Sequence, residues 1–282
     1  MPEERAKTDL QSRRVFLKRT VQGAIVAGFV FSAAGSEHVT LSRLTVRVKG
    51  LPASLAGLKL AFASDFHHNS DRSLPLTREA IDVLNSVRAD VILLGGDYVT
   101  MGAHRFSAIM AELGRLSAPQ GVYSVPGNHD NVVSANVYRR ELSKAGIRDI
   151  TNKGFAIEKG GGSVWIAGLD DEWTGYPKPD LAIEGAPANA PRIVVTHNPT
   201  LADELPSGYA DLILAGHTHG WQVYVPLVTS LVVPQQMRKY RAGFYRTPAG
   251  LMYVTRGIGT IGESVRFWCS PEVVLVTLQP GG

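Results

Sequence analysis

Apolar residues in this chain cluster in short unbroken runs rather than in long stripes. Runs at 58–64, 91–94, 121–125, 192–196 and 212–215 are rich in Val, Ile, Leu and Ala and are bounded by Gly, Pro or polar residues. Segments of that length and composition predict buried strands. Helical spacing appears between the early runs. In 77–88 it places Ala80, Ile81, Leu84 and Val87 on one face, and in 105–117 it does so with Ile109, Leu113 and Leu116. Residues 134–145 read as a third helix. Strand, polar loop and helix therefore recur at intervals of roughly thirty residues, the pattern of stacked βαβ units and a parallel sheet. Before them, imperfect alternation over 41–48 predicts a half-buried strand at a sheet edge.

The texture then changes. Apolar pieces at 155–157 and 164–167 flank Lys159-Gly160-Gly161-Gly162, which predicts a hairpin. A Pro- and Ala-rich stretch leads to Pro191. At the C-terminal end, runs at 222–225, 244–247, 251–255 and 272–278, joined by Gly and Pro, predict antiparallel strands. With no linker or repeat after the leader discussed below, 38–282 reads as a single α/β domain.

Candidate chemistry sits where the buried runs stop. Asp65 and His67 follow the first, Asp97 the second, Asn128, His129 and Asp130 the third, His197 the fourth, and His217 and His219 the fifth. Side chains there point out of a sheet's carboxyl edge, where open α/β sheets hold ligands. Imidazole suits first-row transition metals, and carboxylate or amide oxygen suits harder ions. So large a mixed shell exceeds the needs of one four-coordinate ion and fits two ions sharing a carboxylate. Asp97, on a Gly-Gly-Asp turn, is the best bridge. Two such ions lower the pKa of a bridging water, bind phosphoryl oxygens and hold nucleophile and leaving group in line. Phosphoryl transfer needs little more than positioning and charge stabilisation.

Composition narrows the field. The chain has 282 residues, 44% hydrophobic and 19% charged, an ordinary globular balance. Cys269 is its one cysteine, which excludes an intrachain disulfide and a thiolate zinc cluster. The net charge of +4 belongs mostly to the first 19 residues, where six basic side chains face three acidic ones. No nucleic-acid binding is therefore expected. Those basic residues open a leader. Ser12-Arg13-Arg14-Val15-Phe16-Leu17-Lys18 precedes an uncharged Ala-, Val- and Gly-rich stretch and then Ser32-Ala33-Ala34. This layout resembles a bacterial twin-arginine export signal. It assigns 1–37 as a signal or membrane anchor, the export machinery as a partner, and a periplasmic or cell-envelope location. Cleavage and retention of the leader are both open.

The blocks Asp65-x-His67, Gly96-Asp97, Gly127-Asn128-His129-Asp130, His197 and Gly216-His217-Thr218-His219 resemble, in order, those of the calcineurin-like metallophosphoesterases. The resemblance runs from about 58 to 220. It implies a four-layer α-β-β-α fold, a β-sandwich core flanked by helices. It implies two divalent cations (Mn, Zn or Fe) and hydrolysis of P–O bonds, chiefly in phosphodiesters, through a metal-bridging hydroxide. Carried over by position, Asp65, His67 and His219 would hold one metal, Asn128, His197 and His217 the other, and Asp97 would bridge. His129 would act at the scissile phosphate, and Asp130 would orient its ring by a hydrogen bond.

The leader and the tail, Gly257-Ile258-Gly259, Arg266-Phe267 and Pro271-Glu272, look like an exported or membrane-associated phosphodiesterase branch, some relatives of which cleave a UDP-linked diacylglucosamine. A pyrophosphate or lipid-linked substrate at a membrane surface is the narrower reading. Trp221 stands where many relatives have glycine, which alters the pocket rim. A different class of reading is an inactive metal-binding surface module. The complete ligand set and the retained His129 favour the enzyme. Met237–Arg246 reads as a solvated hairpin before a phosphate- or membrane-binding stretch, and Arg256 as a residue that reaches substrate phosphate or is merely structural. Asp170, Asp171 and Glu172 read as a loop at the cleft's edge, His68 as exposed or as a neighbour of the ligands, and His38 and His104 as without a role.

Overall fold

The computed structural model describes residues 38–70 and 73–281, so the leader assigned to 1–37 lies outside the described residues. Two six-stranded mixed sheets stack face to face. The first contains β1 (Thr40–Lys49), β2 (Lys59–Ala63), β3 (Val91–Leu94), β4 (Val122–Ser124), β5 (Arg148–Asp149) and β12 (Glu272–Gly281), in the order β1-β12-β2-β3-β4-β5. The second contains β6 (Lys153–Lys159), β7 (Gly162–Gly168), β8 (Arg192–Val195), β9 (Leu212–Ala215), β10 (Gly243–Thr247) and β11 (Gly250–Val254), in the order β10-β11-β9-β8-β7-β6.

Helices α1 (Leu74–Ser86), α2 (Arg105–Leu113) and α3 (Asn128–Lys144) cover the outer face of the first sheet. The second sheet is covered more thinly, by α4 (Pro179–Ala182) and a 3-10 turn at Pro199–Asp203. This is the four-layer α-β-β-α arrangement. Because both faces of each sheet are covered, the central strands are apolar throughout. In β2, Leu60 and Phe62 enter the core between the sheets, while the small Ala61 and Ala63 lie under the helices. Leu93, Val276, Ile166, Val195 and Leu214 complete the inter-sheet core. Each such side chain withdrawn from water contributes about 1.5–3 kcal/mol.

The helix expected at 134–145 begins earlier, at Asn128, and carries an extended residue at Ser134 (φ 176°). The Asn128-His129-Asp130 block is therefore a helix's first turn rather than a loop. The hairpin between β6 and β7 turns on Gly160 and Gly161, with φ of 55° and 76°. A two-residue turn with both φ positive suits glycine. Two C-terminal expectations are corrected. Residues 222–225 form no strand, because Gly220, Trp221 and Gln222 (φ 58°, 65° and 47°) curl the chain, leaving an isolated bridge from Val223 to Phe267. Nor are the other late strands uniformly antiparallel. β11 pairs with β9 in parallel, and β12 runs parallel to β1 and antiparallel to β2. Alternation in sequence shows that a strand exists but not its direction.

Candidate metal centre

Register decides which turns meet. Ala63 pairs with Leu94, so the turns after β2 and β3 leave the sheet side by side. They are laced together by Asp65 N–H to Gly96 O (2.9 Å) and His67 N–H to Asp97 O (3.0 Å). In the facing sheet Val195 pairs with Leu214, and Gly216 N–H donates to His197 O at 2.9 Å. The carboxyl ends of both sheets thus open on one edge. Asp65, His67, Asp97, His217 and His219 all have left-handed backbones, with φ between 45° and 72°. Non-glycine residues hold such angles at a cost of order 1–3 kcal/mol each, only where their surroundings over-determine them. Here the close approach of turns imposes them. A Cβ on Gly127 would lie 2.2 Å from Asp97 Oδ1, and one on Gly96 2.2 Å from Gly127 N.

The side chains converge. His219 Nε2 lies 2.9 Å from His67 Nε2 and 3.4 Å from Asp65 Oδ1. His217 Nδ1 lies 3.0 Å from Asn128 Oδ1 and 3.2 Å from His197 Nε2. Asp97 Oδ2 joins the two groups, 3.3 Å from His67 Nε2 and 3.2 Å from His197 Nε2. Asp65–His67–His219, His67–Asp97–His129 and Asp97–His197–His217 each bring ligand atoms within 4.8 Å of one another.

The far ring nitrogens set the tautomers. His67 Nδ1 faces Thr100 Oγ1 at 2.8 Å, and His197 Nδ1 donates to Gly95 O at 2.8 Å. Their Nε2 atoms are thereby turned inward, the arrangement by which ligand histidines are oriented. His217 Nε2 and His219 Nδ1 are buried without a hydrogen-bond partner. Inward-facing imidazole nitrogens and carboxylate oxygens this dense repel one another unless positive charge lies between them. The donor set therefore fits divalent cations.

Burial opposes charge on Asp65, Asp97, His197, His217 and His219. It holds His219 well below the usual imidazole range and, with the His197 charge, pushes His217 down to about 3, so both rings are neutral. Burial also acts against a charged His197, but the Asp97 carboxylate overrides it and takes His197 up to about 10. The same contact outweighs burial at Asp97 and holds its carboxyl well below the ordinary range. Asp65 is raised, chiefly by burial.

His129 lines the cleft above this cluster, its backbone N–H donating to Asp97 Oδ1 at 2.9 Å. Its ring Nδ1 donates to the Thr100 carbonyl at 3.0 Å. Asp130 does something other than expected. Its carboxylate accepts from Asp97 N–H (2.7 Å), Tyr98 N–H (3.0 Å) and Gly127 N–H (2.9 Å), not from the His129 ring. It is the third residue of α3, so its side chain folds back over the helix start. Asp130 thus braces the Asp97 turn, and Thr100 holds both the His67 and His129 rings. Thr100 escaped the sequence reading because a lone threonine three residues beyond Asp97 carries no signal.

Other candidates fall elsewhere. The Arg256 guanidinium is spent on Ser270 O, Thr40 Oγ1 and Glu272. Asp170 and Asp171 accept from neighbouring backbone and side chains and shape the turn that presents Trp173. His68 is buried beside Ser73 rather than exposed, and His38 is exposed beside Glu79.

A family model for calcineurin-like phosphoesterases matches residues 58–221. Phosphodiesterase YaeI of Escherichia coli K12 is 34% identical over 272 residues, covering 95% of this chain and 99% of that protein. The uncharacterized metallophosphoesterase YkuE of Bacillus subtilis 168 is 28% identical over 282 residues, covering 95% and 98% respectively. Among solved structures, the calcineurin-like phosphoesterase YfkN of Bacillus subtilis superposes with a TM-score of 0.46 at 13% identity, over 72% of this chain and 82% of that one.

Proposed function

This chain belongs to the calcineurin-like phosphoesterase family and is a metal-dependent phosphoric ester hydrolase, and from that premise we propose that it cleaves phosphodiesters over a pair of divalent cations. The observation that carries the pairing is Asp97 Oδ2, shared between His67 Nε2 and His197 Nε2 at 3.3 and 3.2 Å. Asp65, His67 and His219 would hold one cation, Asn128, His197 and His217 the other, and Asp97 both. Such a pair supplies Lewis-acid charge for the phosphoryl oxygens and lowers the pKa of a water.

The chain's own residues do the rest. Gly95 and Thr100 orient the His197 and His67 rings, so ligand geometry precedes substrate. Asp130 fixes the backbone on which Asp97 is mounted. His129, its Nδ1 hydrogen committed to Thr100 O, presents Nε2 to the cleft, the position from which a proton is given to the leaving oxygen. The similarity to a named phosphodiesterase supports the diester over the monoester. The leader supports export by the twin-arginine route, and with it a cell-envelope location.

The test is metal analysis together with hydrolysis of an aryl phosphodiester in added manganese or zinc. Two ions per wild-type chain are expected, fewer in Asp97→Asn, with activity collapsing in both Asp97→Asn and His129→Ala. Wild-type rates in both variants would refute the assigned roles and favour the inactive binding module. Cell fractionation of an Arg13→Lys/Arg14→Lys variant tests export, which the double change should abolish.

A further inference from the structure

The cleft over the cluster, of about 480 Å³, has an asymmetric lining. Its floor is Asp97, Asn128 and the histidines, while its outer wall is Trp221, Val223, Val233, Pro234, Met237 and Ile261. Among the described residues no lysine or arginine lines it, and the charged side chain they contribute beyond the cluster is Glu263. A second phosphate on the substrate would meet the Glu263 carboxylate there, with no cationic partner among the described lining residues. The wall instead offers apolar contact to an uncharged hydrocarbon arm, the kind of lining that binds apolar groups.

The wall continues to the surface. Val233 and Pro234 directly follow α5 (Thr229–Val232); Leu227, just before that helix, and Leu231 and Val232 within it are 87%, 65% and 60% exposed. Large apolar side chains projecting together mark an interaction surface. Charge identifies what it meets. No Asp or Glu occurs between Asp211 and Glu263, whereas Arg238, Lys239, Arg241, Arg246 and Arg256 do. Arg238 lies against the knob itself, donating to Val233 O and Leu231 O, with Lys239 next to it, paired with Asp203 but 60% exposed. An apolar knob braced by Arg238, with the exposed Lys239 beside it, complements an anionic lipid surface.

We infer that this enzyme acts on phosphodiesters bearing one long alkyl arm and a single phosphate, entering from an anionic lipid surface on which Leu227, Leu231 and Val232 insert. The inference rests on the phosphodiesterase reading above and names its substrate class. It weighs against pyrophosphates, whose second phosphate would meet the Glu263 carboxylate on that wall.

The test uses the metal-loaded full chain and a series of p-nitrophenyl alkyl phosphodiesters, methyl to octyl, below their micellar concentrations. Here kcat/KM should climb about two- to fourfold per methylene until the wall is covered. A flat series would overturn the apolar arm. The hexadecyl ester is then presented in phosphatidylglycerol–phosphatidylcholine vesicles to wild type and to Leu227→Glu/Leu231→Glu. Both proteins carry the same leader, so a difference reports the knob. The double variant should hydrolyse the embedded ester at least tenfold more slowly and sediment less with vesicles, while the methyl ester is cleaved at the wild-type rate. Equal sedimentation and equal turnover of the embedded ester would overturn lipid docking and leave a protein-binding face. Failure to cleave any ester, with vesicle binding still knob-dependent, would instead sink the phosphodiesterase reading and sustain the docking.

Discussion

Replacing Asp130 by asparagine separates a bracing role from an acid–base role. The carboxylate accepts three buried backbone N–H groups, two on Oδ2 (Asp97 at 2.7 Å, Gly127 at 2.9 Å) and one on Oδ1 (Tyr98 at 3.0 Å). An asparagine can set its oxygen at the Oδ2 position and keep two of these, but its amide then faces the Tyr98 N–H, donor against donor. A hydrogen bond to a charged acceptor contributes about 1.5–3 kcal/mol, and the orphaned N–H costs about as much again. These losses sum to about 3–6 kcal/mol, but burial and the Asp97 charge disfavour the ionised carboxylate at this site, so its removal offsets part of them and the net loss expected is about 1–3 kcal/mol, a sizeable share of the ~5–15 kcal/mol that holds a domain together.

Urea melts of the chelator-treated protein at about pH 8 measure it. Asp130 is ionised there, above the value of about 7 to which burial and then the Asp97 charge push its carboxyl. Metal is excluded because its binding would mask the change by mass action. Activity should fall with stability, through the displaced Asp97 turn, and His129→Ala should lose activity with little loss of stability. If Asp130→Asn melted like wild type yet shifted the pH–rate profile, the carboxylate would be acting on a titrating ring, and the bracing account would be wrong.

Three further outcomes follow from the same geometry. A Cβ at Gly216 would lie 2.4 Å from Asp65 Oδ2 and 2.3 Å from Ser64 Oγ, so Gly216→Ala should displace that carboxylate; metal content should drop from two ions to one, and kcat by roughly a hundredfold, as for a misplacement of about 1 Å. Thr100→Val removes the partner of His67 Nδ1 but keeps the carbonyl that holds His129; competition with a metal indicator should show affinity weakened about 10- to 100-fold, and unchanged affinity would deny Thr100 its orienting role. His197, raised to about 10 against an ordinary 6.5, stabilises the metal-free fold fully below 6.5 and loses that contribution as pH rises through about 10. At neutral pH loading must expel this proton, so calorimetry in buffers of different ionisation enthalpy should show proton release, with apparent affinity rising about tenfold per pH unit toward 10.

Much of this was legible in the linear chain. Buried strands announce themselves as apolar runs, because a strand covered on both faces has no polar side to show. The residues that follow such runs must leave the sheet at its carboxyl edge. That was enough to single out Asp65, His67, Asp97, Asn128, His197, His217 and His219 before any contact was known. The runs also gave an α/β domain with βαβ units, while the two-sheet, helix-flanked fold was expected from the resemblance of the motif blocks to a known family. What the chain could not reveal was who faces whom. His67 and His219, 152 residues apart, meet only because two sheets stack with their carboxyl ends on one side.

The C-terminal β12 slots between β1 and β2, and neither its place nor its direction is written in its alternation. Asp130 illustrates the limit most sharply. Adjacent to His129 in sequence, it turns away from that ring, because the first turn of a helix leaves N–H groups that a nearby carboxylate satisfies at once. Composition and spacing determine which chemistry is present and at which strand ends. Only packing at a distance decides how each group is oriented, since a side chain's direction follows from the elements that close around it.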